Sequence, residues 1–409
     1  MATKSKLRKE YIIVLVAALG YFVDAYDLIL FVVIRKSSLL SLGVSEVDIS
    51  SIGLSLFNTQ MIGTFFGGIF FGILGDKKGR LSVLFGSILV YSLANLMNGG
   101  VSELWQYFVL RFIAGFGLAG ELGAGITLVS EVMPKKYRGY GTAIVAAAGA
   151  FGAFSAGLIG DLTPWRLSFV IGGCMGLLLL FLRMGTFESE LFIKTKESTT
   201  GKGEFLSLFT NRNKFQRYFA SILISLPIFF TITILMQLAP EVAKGLGLKE
   251  EIKVGSAVML VYLGLTFGDL SSGIISQILK NRKKTIRLFL LVSVCFVSIH
   301  LNSFGISLLG LYISYVFLGF GAGYWVSLIT LSAEQFGTNL RATVATTIPN
   351  FARGAVVPIS IFYQWILNNF TDNNVIHSAI YTGFLCLALA FVATFFIKDT
   401  FSNNLDFIE

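Results

Sequence analysis

Apolar segments of about 20 residues recur from one end of the chain to the other, and only short polar stretches separate them. A helix needs about 20 residues to cross a bilayer, whereas the core of a soluble domain requires no such series. Hydrophobic residues make up 55% of the 409 residues, and charged residues only 13%. The pattern predicts an all-helical membrane protein that crosses the bilayer many times.

Twelve segments have the length and composition of a span, and this even number places both termini on one side of the membrane. Their approximate limits are 11–34, 50–74, 81–99, 105–130, 140–160, 165–183, 215–239, 254–279, 285–303, 305–330, 343–368 and 377–397. The first segment is too long for the apolar core of a secretory signal and lacks a small-residue cleavage pattern, so we expect it to be retained.

The basic residues indicate the orientation. With the N-terminus in the cytoplasm, Lys and Arg concentrate in cytoplasmic segments, as the positive-inside rule requires. The few exceptions are the external Arg35, Lys36, Arg166, Lys244, Lys249 and Lys253, and Arg111 and Arg353 within spans. The formal charge of +9 is thus spread over loops, and no nucleic-acid-binding face is predicted. We expect a cell-membrane protein, of the inner membrane if bacterial, with both termini cytoplasmic.

One long polar segment divides the chain between the sixth and seventh spans. It reads "MGTFESELFIKTKESTTGKGEFLSLFTNRNK" and covers residues 184–214. We expect an N-terminal six-helix bundle over 1–183, a cytoplasmic linker over 184–214 and a C-terminal six-helix bundle over 215–409.

The two halves repeat one another. "GILGDKKGRLSVLF" (72–85) matches "QILKNRKKTIRLFL" (277–290) in its apolar turn, polar corner, basic cluster and new span. In the same way "GFGLAGE" (115–121) matches "GFGAGYW" (319–325), and "SEVMPKKYRG" (130–139) matches "AEQFGTNLRA" (333–342). In transporters such repeats rock about a site near the membrane midplane, so the duplication predicts alternating access.

These motifs carry a family resemblance. "GILGDKKGR" resembles the loop signature G-x-L-x-D-[RK]-x-G-R of the major facilitator superfamily, between spans two and three. "RFIAGFGLAGE" (111–121) resembles the fourth-span pattern of its metabolite–proton symporters and of its phosphate and sugar porters, and "PWRLSFVIGG" and "FESELF" extend the likeness. The fifth span lacks the Gly-Pro pair typical of drug–proton antiporters. The resemblance implies twelve transmembrane helices in two pseudo-symmetric six-helix bundles.

The resemblance also implies a set of gating residues at the cytoplasmic corners. In the family, this loop closes the inner side through charge contacts and the dipole of span eleven. The residues that match are Gly72, Asp76, Lys77, Gly79, Arg80, Glu131, Arg138, Glu334 and Arg341.

Ionisable residues within the spans are functional candidates, since each costs roughly 2.5–3.5 kcal/mol to insert. They are Asp24, Asp27, Arg111, Glu121, Asp269, His300 and Arg353. At about 1.5 Å per residue, Glu121, Asp269 and Arg353 lie at one depth, and the two first-span acids lie nearer the outside. Tyr21, Asp24, Asp27 and Phe31 form one helical stripe, which we expect to face a cavity.

Asp27, in "AYDL", resembles the first-span aspartate of sugar and phosphate porters, whose partner is the fourth-span arginine. The resemblance implies that Asp27 binds the proton and that Arg111 pairs with it until substrate or conformation separates them. The alternative is a static ion pair. Glu121 stands where related symporters carry an acid after the glycines, which implies a second protonatable site; a neutral, hydrogen-bonded carboxyl is the alternative. Asp24 is a further candidate for proton coupling.

Arg353, in "TTIPNFARGAVVP", lies near midplane between Pro349 and Pro358, which free backbone carbonyls. Because arginine does not lose its proton, it must either bind an anionic substrate or pair with an acid, for which Asp269 is the alternative partner. Asn350 lies one turn earlier on the same face. The candidates for substrate contact are Arg353, Asn350, Tyr21, Phe31 and Trp325, with core packing as the alternative for Trp325.

We therefore expect a monomeric, proton-coupled symporter of a small anionic or zwitterionic metabolite, with substrate, protons and the lipid bilayer as its partners. The alternatives are a larger carboxylate such as a siderophore, export of such a compound, a neutral sugar, or a non-transporting membrane sensor. An enzyme is disfavoured because no nucleophile and base occur at usable spacing. The three cysteines lie in apolar segments, "GFGLAG" follows no strand, and neither metal nor cofactor is expected.

Overall fold

The computed structural model of the protein describes residues 2–78, 80–121, 138–186 and 207–401. All regular structure in these ranges is helical, which confirms the all-α prediction. The helices of the first half are α1 (Ala2–Ser41), α2 (Ile49–Lys78), α3 (Arg80–Asn98), α4 (Leu104–Leu118), α5 (Arg138–Leu162) and α6 (Trp165–Thr186).

The second half is also helical and more often interrupted. Its elements are α7 (Ser207–Thr210), α8 (Arg212–Ile224), α9 (Leu226–Phe230), a π-helical segment (Thr231–Met236), α10 (Ala239–Gly245), α11 (Val254–Leu279), α12 (Arg282–Leu301), α13 (Leu308–Ala322), α14 (Trp325–Glu334), α15 (Thr338–Gly354), α16 (Val356–Asn369), α17 (Val375–Ala393) and a 3₁₀ turn (Thr394–Phe396). Each of the twelve predicted spans contains helix within the described ranges.

Eight segments of the described chain are long and apolar enough to cross a membrane, and α3, α4 and α5 contain shorter apolar stretches. The predicted span eleven, built from α15 and α16, belongs to neither group. Its sequence includes Pro349, Asn350 and Arg353, which lower its hydropathy and interrupt the helix after Gly354. Polar side chains and a helix break at membrane depth are tolerated where surrounding protein satisfies them.

Spans four and ten break at positions that the repeat matches. Helix α4 ends at Leu118 and α13 ends at Ala322, before α14 starts at Trp325. The break in span ten allows a close backbone contact, because a Cβ on Gly323 would lie 2.4 Å from the Cα of Gly268. The internal duplication read from "GFGLAGE" and "GFGAGYW" therefore corresponds to a shared structural feature.

The two halves of the chain pack against each other through α1, α2 and α5 on one side and α11, α15 and α16 on the other. At the predicted external side, Arg35 Nη2 lies 2.6 Å from Glu241 Oε1, which also accepts a 2.6 Å hydrogen bond from Ser50. Most of the predicted linker 184–214 lies outside the described residues. The division of the chain into two bundles at that linker stays a prediction.

Glycines allow helices α5 and α11, from opposite halves of the chain, to pack closely against each other. A Cβ on Gly255 would lie 2.3 Å from the carbonyl oxygen of Gly157, and the backbone N–H of Gly255 donates a 3.2 Å hydrogen bond to Asp161. Backbone therefore meets backbone here, as at the small-residue contacts of other membrane helices.

We predict that Gly255→Ala separates α5 from α11 and lowers stability by roughly 1–3 kcal/mol, as overpacking of a tight contact does. The melting temperature of the purified protein in detergent measures this loss. Gly273→Ala is the matched control, because it lies on the same helix and its Cβ would meet nothing within 4 Å. Equal melting temperatures for the two variants would contradict the prediction.

Candidate functional site

The centre of the molecule holds an ion pair between the two halves. Arg353 lies in the last turn of α15, and its Nη2 lies 2.9 Å from Oδ2 of Asp24 in the middle of α1. Asp24 is fully buried and Arg353 is 4% exposed. The acid that contacts Arg353 is thus Asp24 and not Asp269, which the sequence analysis named as the alternative.

This ion pair uses only part of the hydrogen-bonding capacity of either side chain. In the described part of the chain, Arg353 Nη1 and Asp24 Oδ1 have no hydrogen-bond partner. A bidentate pair would use two parallel N–H donors and both carboxylate oxygens. The single contact leaves the guanidinium nitrogen Nη1 available to a second acceptor, which can then compete with Asp24 for the guanidinium group.

Aromatic and acidic side chains surround the pair. Tyr21, half-buried on α1, lies within electrostatic range of Arg353, Asp24 and Asp269 and beside Trp325. Asp269 does not face the guanidinium directly, because its Oδ1 accepts a 3.1 Å hydrogen bond from the backbone N–H of Val326. It therefore caps the first turn of α14. Tyr21 thus lies near both Arg353 and Trp325, and a role for these side chains in substrate contact stays a prediction.

Asp27 and Arg111 lie within electrostatic range of each other but do not form an ion pair. Arg111 Nη2 donates a short hydrogen bond to Oε1 of Gln60, and its guanidinium lies 5.0 Å from the ring centroid of Phe31. Both Asp27 oxygens are buried, and neither has a well-formed hydrogen bond to another described residue. Asn95 lies beside them. The ring of Phe31 therefore makes a cation–π contact with Arg111, and Phe31 is itself fully buried.

Sequence reasoning missed a third buried arginine. Arg183 is fully buried near the end of α6, where it donates to both carboxylate oxygens of Glu121, to Oε2 over 3.0 Å and to Oε1 over a shorter contact. In the sequence, "FLRMG" looks like the basic flank of a span, and nothing local indicates that the side chain turns inward. Its partner Glu121, predicted as a protonatable site, is held bidentately.

The polar partner of Asn350 is backbone from the other half of the chain. Its Nδ2 donates a 2.9 Å hydrogen bond to the carbonyl oxygen of Ala119, which lies just after the end of α4. The side chain also packs on Gly68. Asn350 thus joins α15 to span four, directly beside the central ion pair.

Only two of the predicted gating residues can be described at side-chain level. Gly72 faces α15, where a Cβ would lie 3.9 Å from Thr347, and Glu334 pairs with Arg282 at 2.8 Å and accepts a hydrogen bond from Thr400. The others lie outside the described residues, wholly or in their side chains, and their roles stay predictions: Asp76, Lys77, Gly79, Arg80, Glu131, Arg138 and Arg341.

The fold and the buried charges can now be compared with known proteins. The family model of the Major Facilitator Superfamily matches residues 17–360. The chain is a member of the Major Facilitator Superfamily. This facilitator is therefore a membrane transporter and not an enzyme, and the predicted fold class is confirmed.

Individual relatives agree with this placement. A putative metabolite transport protein of Haemophilus influenzae is 28% identical over 360 residues, which cover 82% of this chain and 84% of that protein. The sialic acid transporter NanX of Escherichia coli is 32% identical over 197 residues, 47% of each chain. The crystal structure of a D-xylose–proton symporter covers 95% of this facilitator and 98% of its own chain, with a TM-score of 0.69 at 16% identity, which shows the shared fold.

We predict that Glu121→Gln destabilises the protein by about 3–5 kcal/mol, because it removes the carboxylate to which the buried Arg183 guanidinium donates two hydrogen bonds. Thermal unfolding in detergent measures the effect, and the double variant Glu121→Gln/Arg183→Gln should recover most of it. Glu251→Gln is the control, since Glu251 is 93% exposed in its pair with Lys36 and such pairs contribute about 0–1 kcal/mol. A wild-type melting temperature for Glu121→Gln would show that the pair does not stabilise the fold.

Proposed function

We propose that this transporter is a proton-coupled symporter of a small organic anion whose carboxylate binds Arg353. The single contact between Arg353 and Asp24, with one buried guanidinium nitrogen left without a partner in the described residues, carries the proposal. Guanidinium groups bind carboxylates through two parallel donors, so a substrate carboxylate is the natural second acceptor. The site lies between the two halves, where alternating access requires it.

The balance of buried charge supports coupling to a proton. Three acids, Asp24, Asp27 and Glu121, lie among the three arginines that are buried within the described spans, Arg111, Arg183 and Arg353. Asp24 lies within electrostatic range of both other acids. An added anionic substrate would give this group a net negative charge, which a buried site disfavours strongly. Uptake of one proton by a carboxylate restores the balance, so substrate and proton bind together.

The exchange of partners at Arg353 supplies the coupling step. When the substrate carboxylate takes over Arg353, Asp24 loses its cation and its protonation becomes favourable. Asp27, which has no ion-pair partner in this arrangement, is the second candidate to hold the proton. Glu121 is the weakest candidate for proton binding, because both of its oxygens accept hydrogen bonds from Arg183. We propose that it stabilises the helix packing instead.

Relatives and charge distribution support the substrate class and the setting. The E. coli relative is named for sialic acid, an organic acid, which agrees with a carboxylate-binding site. The concentration of Lys and Arg in one set of loops supports an orientation with both termini in the cytoplasm. We place the protein in the cell membrane on these grounds, acting as a monomer.

We predict that Arg353→Lys weakens substrate binding roughly ten- to hundredfold while the protein still folds, because lysine keeps the charge and loses the paired donors. The ligand is first found by a thermal-shift screen of organic acids, amino acids and sugars, and its affinity is then measured by calorimetry. Arg166→Lys, the same change at an exposed arginine, should leave affinity unchanged.

A static ion pair gives a different result. In that case Arg353→Ala folds poorly, Asp24→Ala restores its melting temperature, and the double variant keeps ligand affinity. This outcome would reject substrate capture by Arg353 and favour a neutral substrate.

We predict that Asp27→Asn abolishes accumulation driven by a pH gradient and preserves exchange of labelled for unlabelled substrate, because asparagine mimics the protonated acid. Both rates are measured in proteoliposomes. Asp48→Asn, at an exposed loop position, is the control and should accumulate substrate normally. Normal accumulation by Asp27→Asn together with loss in Asp24→Asn would assign the proton to Asp24.

A further inference from the structure

An apolar groove opens on the outside of the helical bundle. Its volume is about 510 Å³, and its walls come from α2, α7, α8, α9, α15, α16 and α17. Several of its lining side chains are exposed, among them Phe209 at 44%, Phe219 at 47% and Leu389 at 38%. In a membrane protein, such exposed apolar side chains face lipid, so the groove opens laterally into the bilayer.

The walls offer few polar groups to a ligand, chiefly the hydroxyls of Tyr218 and Thr382. Aromatic and aliphatic carbons line the groove almost throughout. The hydroxyl of Thr382, one of its few polar groups, already donates a 2.8 Å hydrogen bond to the carbonyl oxygen of Ser378. A hydrophilic substrate would lose its hydration here without replacement hydrogen bonds. The groove therefore suits a hydrocarbon chain and is distinct from the proposed carboxylate site.

Two cationic residues begin the helix that carries several lining residues of the groove. Arg212 and Lys214 begin α8, between the lining residues Phe209 and Phe219, and Arg212 is exposed. Helix α8 is also the start of a membrane-spanning segment, Arg212–Met236, so these cations lie at the level of lipid headgroups. Basic residues beside a cleft between transmembrane helices attract anionic headgroups.

We propose that this groove binds an anionic phospholipid, with an acyl chain between the aromatic walls and the phosphate near Arg212 and Lys214. The groove is built by both halves of the transporter, since Phe65 comes from α2 and Phe351 and Phe362 come from α15 and α16. The rings of Phe65 and Phe351 meet across this boundary at 4.5 Å. A bound lipid thus stabilises the present arrangement of α2 and α15 and acts on the conformational equilibrium from outside the substrate site.

The experiment uses the full chain, purified in detergent and stripped of lipid, with dioleoylphosphatidylglycerol or dioleoylphosphatidylcholine added back. Native mass spectrometry counts retained lipid, and thermal unfolding reports stabilisation. We expect preferential retention of phosphatidylglycerol with a rise in melting temperature. Arg212→Gln/Lys214→Gln should reduce that preference by about fivefold for each cation removed. Lys280→Asn/Lys284→Gln, an equal loss of exposed charge elsewhere, should leave it unchanged.

A second pair of variants tests the acyl-chain site. Leu389→Trp adds bulk inside the groove and should lower retention of both lipids, whereas Phe384→Trp, on the same helix at a 73% exposed position outside the groove, should not. An undiminished preference in Arg212→Gln/Lys214→Gln, or full lipid retention in Leu389→Trp, would overturn the proposal. So would a dimer in light scattering that Leu389→Trp dissociates, because a second copy of the chain would then occupy the groove.

Discussion

The arrangement depends on how three guanidinium groups are neutralised inside a membrane. Arginine cannot discharge by losing its proton, so each buried guanidinium must find an anion or other acceptors within the protein. Arg183 is held by both oxygens of Glu121, Arg353 by one oxygen of Asp24, and Arg111 by an amide and aromatic rings without a direct acid contact. Arg183 therefore has a carboxylate that contacts it through both oxygens, Arg353 has one through a single oxygen, and Arg111 contacts no carboxylate. The Arg353 pair, with its single contact, joins the two halves.

Broken helices place these charges and also supply polar backbone groups. At the break in span four the Ala119 carbonyl accepts a hydrogen bond from Asn350, and at the break in span ten the N–H of Val326 donates one to Asp269. Span eleven breaks directly after Arg353, at the C-terminal end of α15, where the helix dipole favours a cation. The interruptions in spans four and ten thus each bring a backbone group to a side chain of another helix, as irregular backbone at membrane depth requires.

The contacts between the halves are of two physical kinds. At α5 and α11, glycines bring backbones together, so that the contact has little side-chain interlocking. At the centre, Asp24 and Arg353 form a contact whose strength depends on protonation and on competing anions. The first kind fixes the distance between helices, and in the proposed mechanism the second makes their relative position depend on ligand.

The sequence by itself determined the helical class, predicted twelve spans that each contain described helix, and revealed the internal repeat. These features follow from hydropathy and local motifs, which are properties of neighbouring residues. It also identified Arg353, Asp24, Asp27 and Arg111 as exceptional, because a charge within an apolar run is visible without a fold. Only the tertiary structure decided which acid meets which arginine. Asp24 and Arg353 lie 329 positions apart, and Arg183 resembled an ordinary basic flank until its side chain was seen against Glu121. Pairing of this kind is set by helix packing and rotation, which no local pattern encodes.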